Sequence, residues 1–207
     1  MCVKMIKNIV FDMGGVLIDF DPHKTMRSVF CEQDAVRAEQ VLFHSGMWNN
    51  LDLGTTGFAQ LADAACAQLP AHMHAPLRAL LMRWWDKEMP PFDYMEDFVR
   101  EVKDAGYGVY LCSNTSADIY THFDAIPVLR LMDGIIASCD YGVTKPDARL
   151  YEALYARFGL RPEECFFIDD MPRNIEGAAA TGMVGHCFAD KNVARLRDAM
   201  RRQGIRI

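Results

Sequence analysis

The chain has 207 residues, 51% of them hydrophobic and 24% charged, with a formal net charge of −6. That length supports one sizeable core, or one core carrying a small inserted subdomain. The acidic balance argues against a nucleic-acid partner, which needs a basic face, and no uncharged stretch approaches membrane-spanning length.

In chain order, the first apolar stretch ends on Asp12 and is too short for a signal peptide, so a cytoplasmic protein is expected. Cys2, Cys31, Cys66, Cys112, Cys139, Cys165 and Cys187 are odd in number and never spaced C-x-x-C. They read as reduced thiols packed as small apolar residues. The histidines form no ligand pattern, and His72 and His74 fall on an expected surface segment, so a structural zinc site is not expected.

Short β-branched or aromatic runs bounded by turn residues recur at Ile6 to Phe11, Gly108 to Cys112, Gly134 to Ala137, Cys165 to Ile168 and Val184 to Phe188. Runs of that kind suit buried parallel strands. Between them, residues 93–105 place Tyr94, Met95, Phe98, Val99 and Val102 on one helical stripe that Gly106 would stop. Residues 148–158 do the same with Leu150, Tyr151, Leu154, Tyr155 and Phe158 before Gly159. The basic residues from Arg195 to Arg202 alternate with apolar ones and read as the solvated face of a last helix. Alternating strands and helices predict an α/β fold, a Rossmann-like, doubly wound parallel sheet.

Residues 22–92 break that rhythm with helical spacing around Thr25–Cys31, Asp34–Phe43, Thr56–Leu69 and Ala75–Lys87. They predict an inserted α-helical cap spanning 22–91, with the catalytic core made of 1–21 and 92–207. Segments near Asp19–Pro22 and Met89–Pro91 would act as hinges, and closure of the cap would shed water from the site.

In an open parallel sheet, ligands bind beyond the carboxyl ends of the strands. The residues there are Asp12-Met-Gly-Gly15, Ser113-Asn114-Thr115 and Asp169-Asp170, with Lys145 in a loop before a helix. Singly, each is an ordinary turn former, cap or surface lysine. Together they suit phosphoryl transfer. Asp12 would be the nucleophile, and a divalent cation held with Asp169 and Asp170 would offset its repulsion from a phosphate. All-oxygen ligands favour Mg²⁺. Ser113 and Lys145 would hold the remaining phosphoryl oxygens, and the Gly14-Gly15 turn would bring its backbone against the ligand.

Asp12-Met-Gly-Gly-Val-Leu, Ser113-Asn-Thr, Lys145-Pro-Asp and Phe167-Ile-Asp-Asp-Met-Pro-Arg-Asn-Ile-Glu-Gly-Ala resemble the four motifs of the haloacid dehalogenase superfamily. The resemblance covers the whole chain and implies a hydrolase with a helical cap of the C1 type. By it, Asp12, Ser113 and Lys145 are catalytic. Gly15, Ser113, Asn114 and Lys145 bind phosphate, and Asp12, the Gly14 carbonyl, Asp170 and Asp169 (directly or through water) bind Mg²⁺. Most phosphatases of the superfamily carry a second aspartate two residues after the nucleophile as general acid and base; here that residue is Gly14.

Residues 145–151, Lys-Pro-Asp-Ala-Arg-Leu-Tyr, are similar to those of members like α-D-glucose-1-phosphate phosphatase. A glycosyl phosphate has a comparatively good leaving group that needs less acid assistance, so a sugar-phosphate phosphatase is expected. A 2-haloacid dehalogenase also lacks the second aspartate but needs no metal, which leaves Asp169-Asp170 without a purpose. A weakened relative that only binds a ligand rests on Gly14 alone, and a phosphomutase needs the missing carboxylate. The stretch Met47 to Gly54 resembles the specificity turn of helical caps, so Trp48 and Asn49, with Asn50 and Asp52, are candidates to meet a small phosphorylated metabolite. Trp48 is equally a candidate for cap core, as is one of Trp84 and Trp85. A monomer or homodimer is expected.

Overall fold

A computed structural model describes residues 5–207, with Asp86 described by its backbone alone. Cys2 lies outside the described residues. The strands are β1 (Asn8–Phe11), β2 (Gly108–Ser113), β3 (Gly134–Ala137), β4 (Cys165–Asp169) and β5 (Val184–Cys187). They form one parallel sheet in the order β3-β2-β1-β4-β5. Alternation along the strands serves two cores. Ile9, Phe11, Leu111 and Ile168 face one side, while Val10, Cys112, Ile136 and Phe167 face the other.

The helices, in chain order, are α1 (Pro22–Arg27), α2 (Glu32–Glu39), α3 (Met47–Asp52), α4 (Phe58–Cys66), α5 (Ala71–Met82), α6 (Trp84–Lys87), α7 (Asp93–Asp104), α8 (Ala148–Phe158), α9 (Pro172–Ala180) and α10 (Val193–Arg202). The first of them lie between β1 and β2 and form the inserted helical subdomain. Its elements differ from the expected runs at their ends. Pro22 opens α1 three residues early, because Asp21 accepts from Lys24 N and a proline needs no donor there. Helix α2 runs on into a π-helical turn, Gln40–His44. Gly57 starts α4, with Gln60 reaching back to its N–H.

Helices α7 and α10 cover one face of the sheet through Phe98, Val102, Leu196 and Met200, while α8 and α9 cover the other through Leu150, Tyr151, Leu154 and Ala178. Tyr94 departs from the expected stripe: it is exposed, one position off the buried Met95, Phe98, Val99 and Val102. Gly106 and Gly159 end their helices with positive φ, as expected of glycine stops. Of the basic residues of α10, Arg195, Arg197 and Arg201 pair with acids, as Arg197 does with Glu101. One crossover is not a helix. Between β2 and β3 the chain runs through short 3₁₀ turns (Ala117–Tyr120, Phe123–Ala125, Pro127–Leu131), interrupted by Pro127, which has no N–H to continue a helical ladder.

The segments joining core and helical subdomain run side by side. Asp19 N donates to the Pro90 carbonyl at 2.8 Å and Phe92 N to the Leu17 carbonyl at 3.0 Å. Among the described residues, no helix is long and apolar enough to cross a membrane. Cys66, Cys112 and Cys165 are buried free thiols, as expected, whereas Cys31 is exposed.

Candidate active site

Register places the site. Phe11 lies opposite Leu111 on one side and Ile168 on the other, so Asp12, just past β1, and Asp169, the last residue of β4, stand at the same level. The strand order turns back on itself beside β1, which opens a crevice at the carboxyl edge. Asp12, Asp169 and Asp170 meet there, with one oxygen of each within 4.8 Å of the others.

Lys145 ties them together. Its Nζ stands 2.7 Å from Asp12 Oδ1 and 2.7 Å from Asp169 Oδ2, with all three side chains nearly out of solvent. Asp12 Oδ1 also accepts from Met13 N at 2.7 Å. Asp169 is held on both oxygens: Oδ1 accepts from Met171 N at 2.8 Å and from Asn174 Nδ2 at 2.9 Å, and Oδ2 from Asn174 Nδ2 at 3.1 Å. Asp170 has no side-chain partner of this kind among the described residues and is half-buried.

Burial pushes the Asp12 carboxyl up, Lys145 pulls against it, and Asp169 adds to the rise. Burial likewise raises Asp170, with Asp169 beside it. For Lys145, burial favours the neutral amine, but Asp12 and Asp169 outweigh it and hold the ammonium charged. One ammonium thus faces three carboxylates, and a hard cation on these oxygens would relieve the excess negative charge.

Glycines make the space. Gly15 has φ +71°, and a Cβ there would stand 2.7 Å from Asp170 Cγ. Its N–H, expected to meet a phosphate, donates to the Ile18 carbonyl at 2.9 Å and closes the turn. Gly14 lines the cavity, has ordinary φ, and a Cβ there would meet Phe20 Cβ at 3.4 Å.

The Asn114 side chain is taken up by the backbone of Lys145. Its Oδ1 accepts from Lys145 N at 2.7 Å and its Nδ2 donates to the Lys145 carbonyl at 3.2 Å, clamping the lysine backbone. Ser113 is buried, and the one hydrogen bond of its hydroxyl among the described residues, 3.5 Å to the Asn114 carbonyl, is too long to engage it fully.

Above these groups lies a cavity of about 230 Å³ whose walls come from both the core and the helical insertion. Trp48, Trp84, Trp85, Phe20 and Phe58 line it. The Trp48 ring packs on Phe43 at 4.5 Å and Trp84 at 4.8 Å, so it is both interior of the insertion and cavity wall. Both Trp84 and Trp85 are buried, where only one was expected, and their indole N–H groups find no acceptor among the described residues. Asn49 lines an adjoining cavity with Thr144 and Arg173, its Oδ1 3.5 Å from Thr144 Oγ1, while Asn50 lines neither.

Two lining residues escaped sequence reasoning as functional groups of the site. Arg173 lines both cavities from the first turn of α9 and makes no ion pair among the described residues. A cation at a helix N-terminus opposes the helix dipole, and that was its signal. Asp52, seen before only as a possible sugar contact, ends α3 and lines both cavities, and burial pushes its carboxyl up to about 7 against the pull of Lys145.

The sequence is 29% identical over 187 residues to a sesquiterpene phosphatase of Aspergillus oryzae, covering 89% of this chain and 90% of that one. It is 28% identical over 185 residues to a D-ribitol-5-phosphate phosphatase of Bacteroides thetaiotaomicron, covering 83% and 86%. Among solved structures, a HAD family enzyme of Bacteroides thetaiotaomicron superposes with a TM-score of 0.68 at 23% identity, covering 88% of this chain and 93% of that one. The haloacid dehalogenase-like hydrolase family matches residues 6–182, nearly the whole sheet and every residue of the carboxylate–lysine cluster. With that match over the segments that carry Asp12, Lys145, Asp169 and Asp170, the chain belongs to the haloacid dehalogenase-like hydrolases.

Proposed function

We propose that this hydrolase is a magnesium-dependent phosphatase that acts on a small phosphorylated metabolite of sugar or polyol size through an aspartyl-phosphate on Asp12. The observation that carries this reading is the convergence of Asp12, Asp169 and Asp170 around Lys145 at the mouth of one cavity. Free Asp12 Oδ2 is the nucleophile, because Oδ1 is held by Lys145 and by Met13 N. Lys145 keeps Asp12 oriented and carries positive charge to the phosphoryl oxygens, and the loosely engaged Ser113 hydroxyl turns to the same group. Asp12, the Gly14 carbonyl and Asp170 would hold Mg²⁺, with Asp169 contributing directly or through water. Magnesium bound there would offset the repulsion between carboxylate and phosphate and orient the phosphoryl oxygens.

Size favours a small substrate. Ligand pockets for drug-sized molecules run about 300–1,000 Å³, and this cavity, at about 230 Å³, falls below them. Its aromatic walls offer faces to the C–H side of a sugar or polyol. A longer apolar alcohol phosphate, as the name of the Aspergillus relative suggests, would need the cavity to open. The dehalogenase reading gives Asp170 no purpose.

The core is read as 1–21 and 92–207 and the C1-type cap as 22–91, with the paired linkers at Asp19–Pro90 and Leu17–Phe92 as hinge. The unpaired thiols suit a cytoplasmic protein. The test is phosphate release from sugar, polyol and prenyl phosphates, with Mg²⁺ and with EDTA, for wild type and Asp12→Asn. Release that needs Mg²⁺ and is lost in Asp12→Asn is expected. Release that persists in EDTA or in Asp12→Asn would end the reading.

A further inference from the structure

Gly14 leaves the nucleophile's own loop without an acid, yet an alkoxide leaving group needs a proton. The cavity holds one carboxyl group that neither the carboxylate–lysine cluster nor any other ion pair employs. Asp52 ends α3 and lines the cavity together with Asp12 and Lys145. Its carboxylate has no hydrogen bond or ion pair among the described residues, although it is half-buried.

Its position is fixed through its backbone. Ser138 Oγ, in the turn after β3, donates to the Asp52 carbonyl at 2.6 Å and accepts from Thr115 N at 2.9 Å. Two residues on, Gly54 has φ +70° and sits so close that a Cβ there would lie 2.8 Å from the Cys139 carbonyl. The inserted helical segment is thus docked on the core at the residue that carries this carboxyl group.

We propose that Asp52 is the general acid and base of the reaction, supplied from the helical insertion in place of the aspartate that Gly14 lacks. This rests on the phosphatase reading above. In the first step Asp12 Oδ2 attacks phosphorus and the bond from phosphorus to the substrate oxygen breaks. The departing oxygen keeps the electron pair and takes the Asp52 proton, so the alcohol leaves. In the second step the Asp52 carboxylate takes a proton from water as the water oxygen attacks phosphorus. The bond to Asp12 breaks, phosphate leaves, and both aspartates return to their starting states.

The charged and titratable groups around Asp52 are Asp12 after β1, Cys139 after β3, Lys145 before α8, Asp170 after β4 and Arg173 in α9. Burial raises the carboxyl to about 7 and Lys145 moderates the rise. A group poised there is protonated for the first step and ionised for the second near neutral pH.

The test compares wild type, Asp52→Asn and Asp52→Glu on an alkyl phosphate and on p-nitrophenyl phosphate, whose phenolate leaves without a proton. Asp52→Asn is expected to lose about 10²–10⁴-fold in kcat on the alkyl ester. On the aryl ester its first step should be spared, so phosphoenzyme should form at the wild-type rate and accumulate. The fall in wild-type kcat/KM for the alkyl ester above neutral pH should vanish in Asp52→Asn, and Asp52→Glu should recover part of the alkyl rate. Equal losses of phosphoenzyme formation on both esters, or no loss on either, would overturn the assignment while leaving the phosphatase intact. A wild type inactive on every ester would overturn both.

Discussion

Replacing Gly15 by alanine should disable the metal cradle without removing any charged group. A Cβ there would lie 2.7 Å from Asp170 Cγ and 3.2 Å from its Cβ, whereas carbon atoms rest at about 3.5–4.0 Å. Asp170 would therefore have to move by roughly 1 Å, against a placement tolerance of about 0.5 Å for a working site. The backbone adds a penalty, because φ +71° costs a residue with a side chain about 1–2 kcal/mol. For a chain of this length, that lowers Tm by roughly 2–8 °C. The Mg²⁺ concentration for half-maximal turnover should rise about 10–100-fold, as for other disturbances around a metal site. Magnesium titration of phosphate release, with a thermal melt alongside, reads both effects. An unchanged magnesium requirement would refute the assignment of Asp170 as ligand and of Gly15 as the residue that makes its space.

Lys145→Met should abolish turnover and destabilise the fold by about 3–5 kcal/mol, because Asp12 and Asp169 would remain buried without their cation; urea unfolding measures it. Asp52→Asn should change stability with pH. The native carboxyl, at about 7, lies above its unfolded value of 3.8, so the native state binds the extra proton. Wild-type stability from this group is full below pH 3.8 and is lost as pH rises through about 7. The Tm of Asp52→Asn relative to wild type should therefore climb between pH 4 and pH 8, and a flat difference would deny the shift. Ser138→Ala removes the donor to the Asp52 carbonyl and should cost about 1–3 kcal/mol. It should lower kcat more than it raises KM, as steady-state kinetics on an alkyl phosphate would show.

The sheet and the cluster were legible because they are written in local signals. A buried parallel strand is a short apolar run, and a residue just past its end is already at the site. Asp12, Ser113, Lys145, Asp169 and Asp170 could thus be found without coordinates. What escaped depends on contacts far apart in sequence. Nothing beside Asn114 reveals that its amide clamps Lys145, 31 residues on. The Gly15 N–H looked available until the turn brought the Ile18 carbonyl to it. Asp52 read only as a possible sugar contact, since its place beside Asp12 and Lys145 in one cavity comes from the insertion docking on the β3 loop. The 3₁₀ crossover before β3 was hidden because its pattern of short apolar groups suits a helix as well, and Pro127 decides between them only once the strand ends are fixed.

The most direct test of the chemistry is to quench the enzyme in acid during turnover with Mg²⁺ and an alkyl phosphate, and to locate any added phosphoryl group by peptide mass spectrometry. A phosphoryl group on Asp12, absent from Asp12→Asn, is the expected result. Turnover with no phosphoryl group trapped at any time, or with the group on another residue, would contradict Asp12 as the nucleophile.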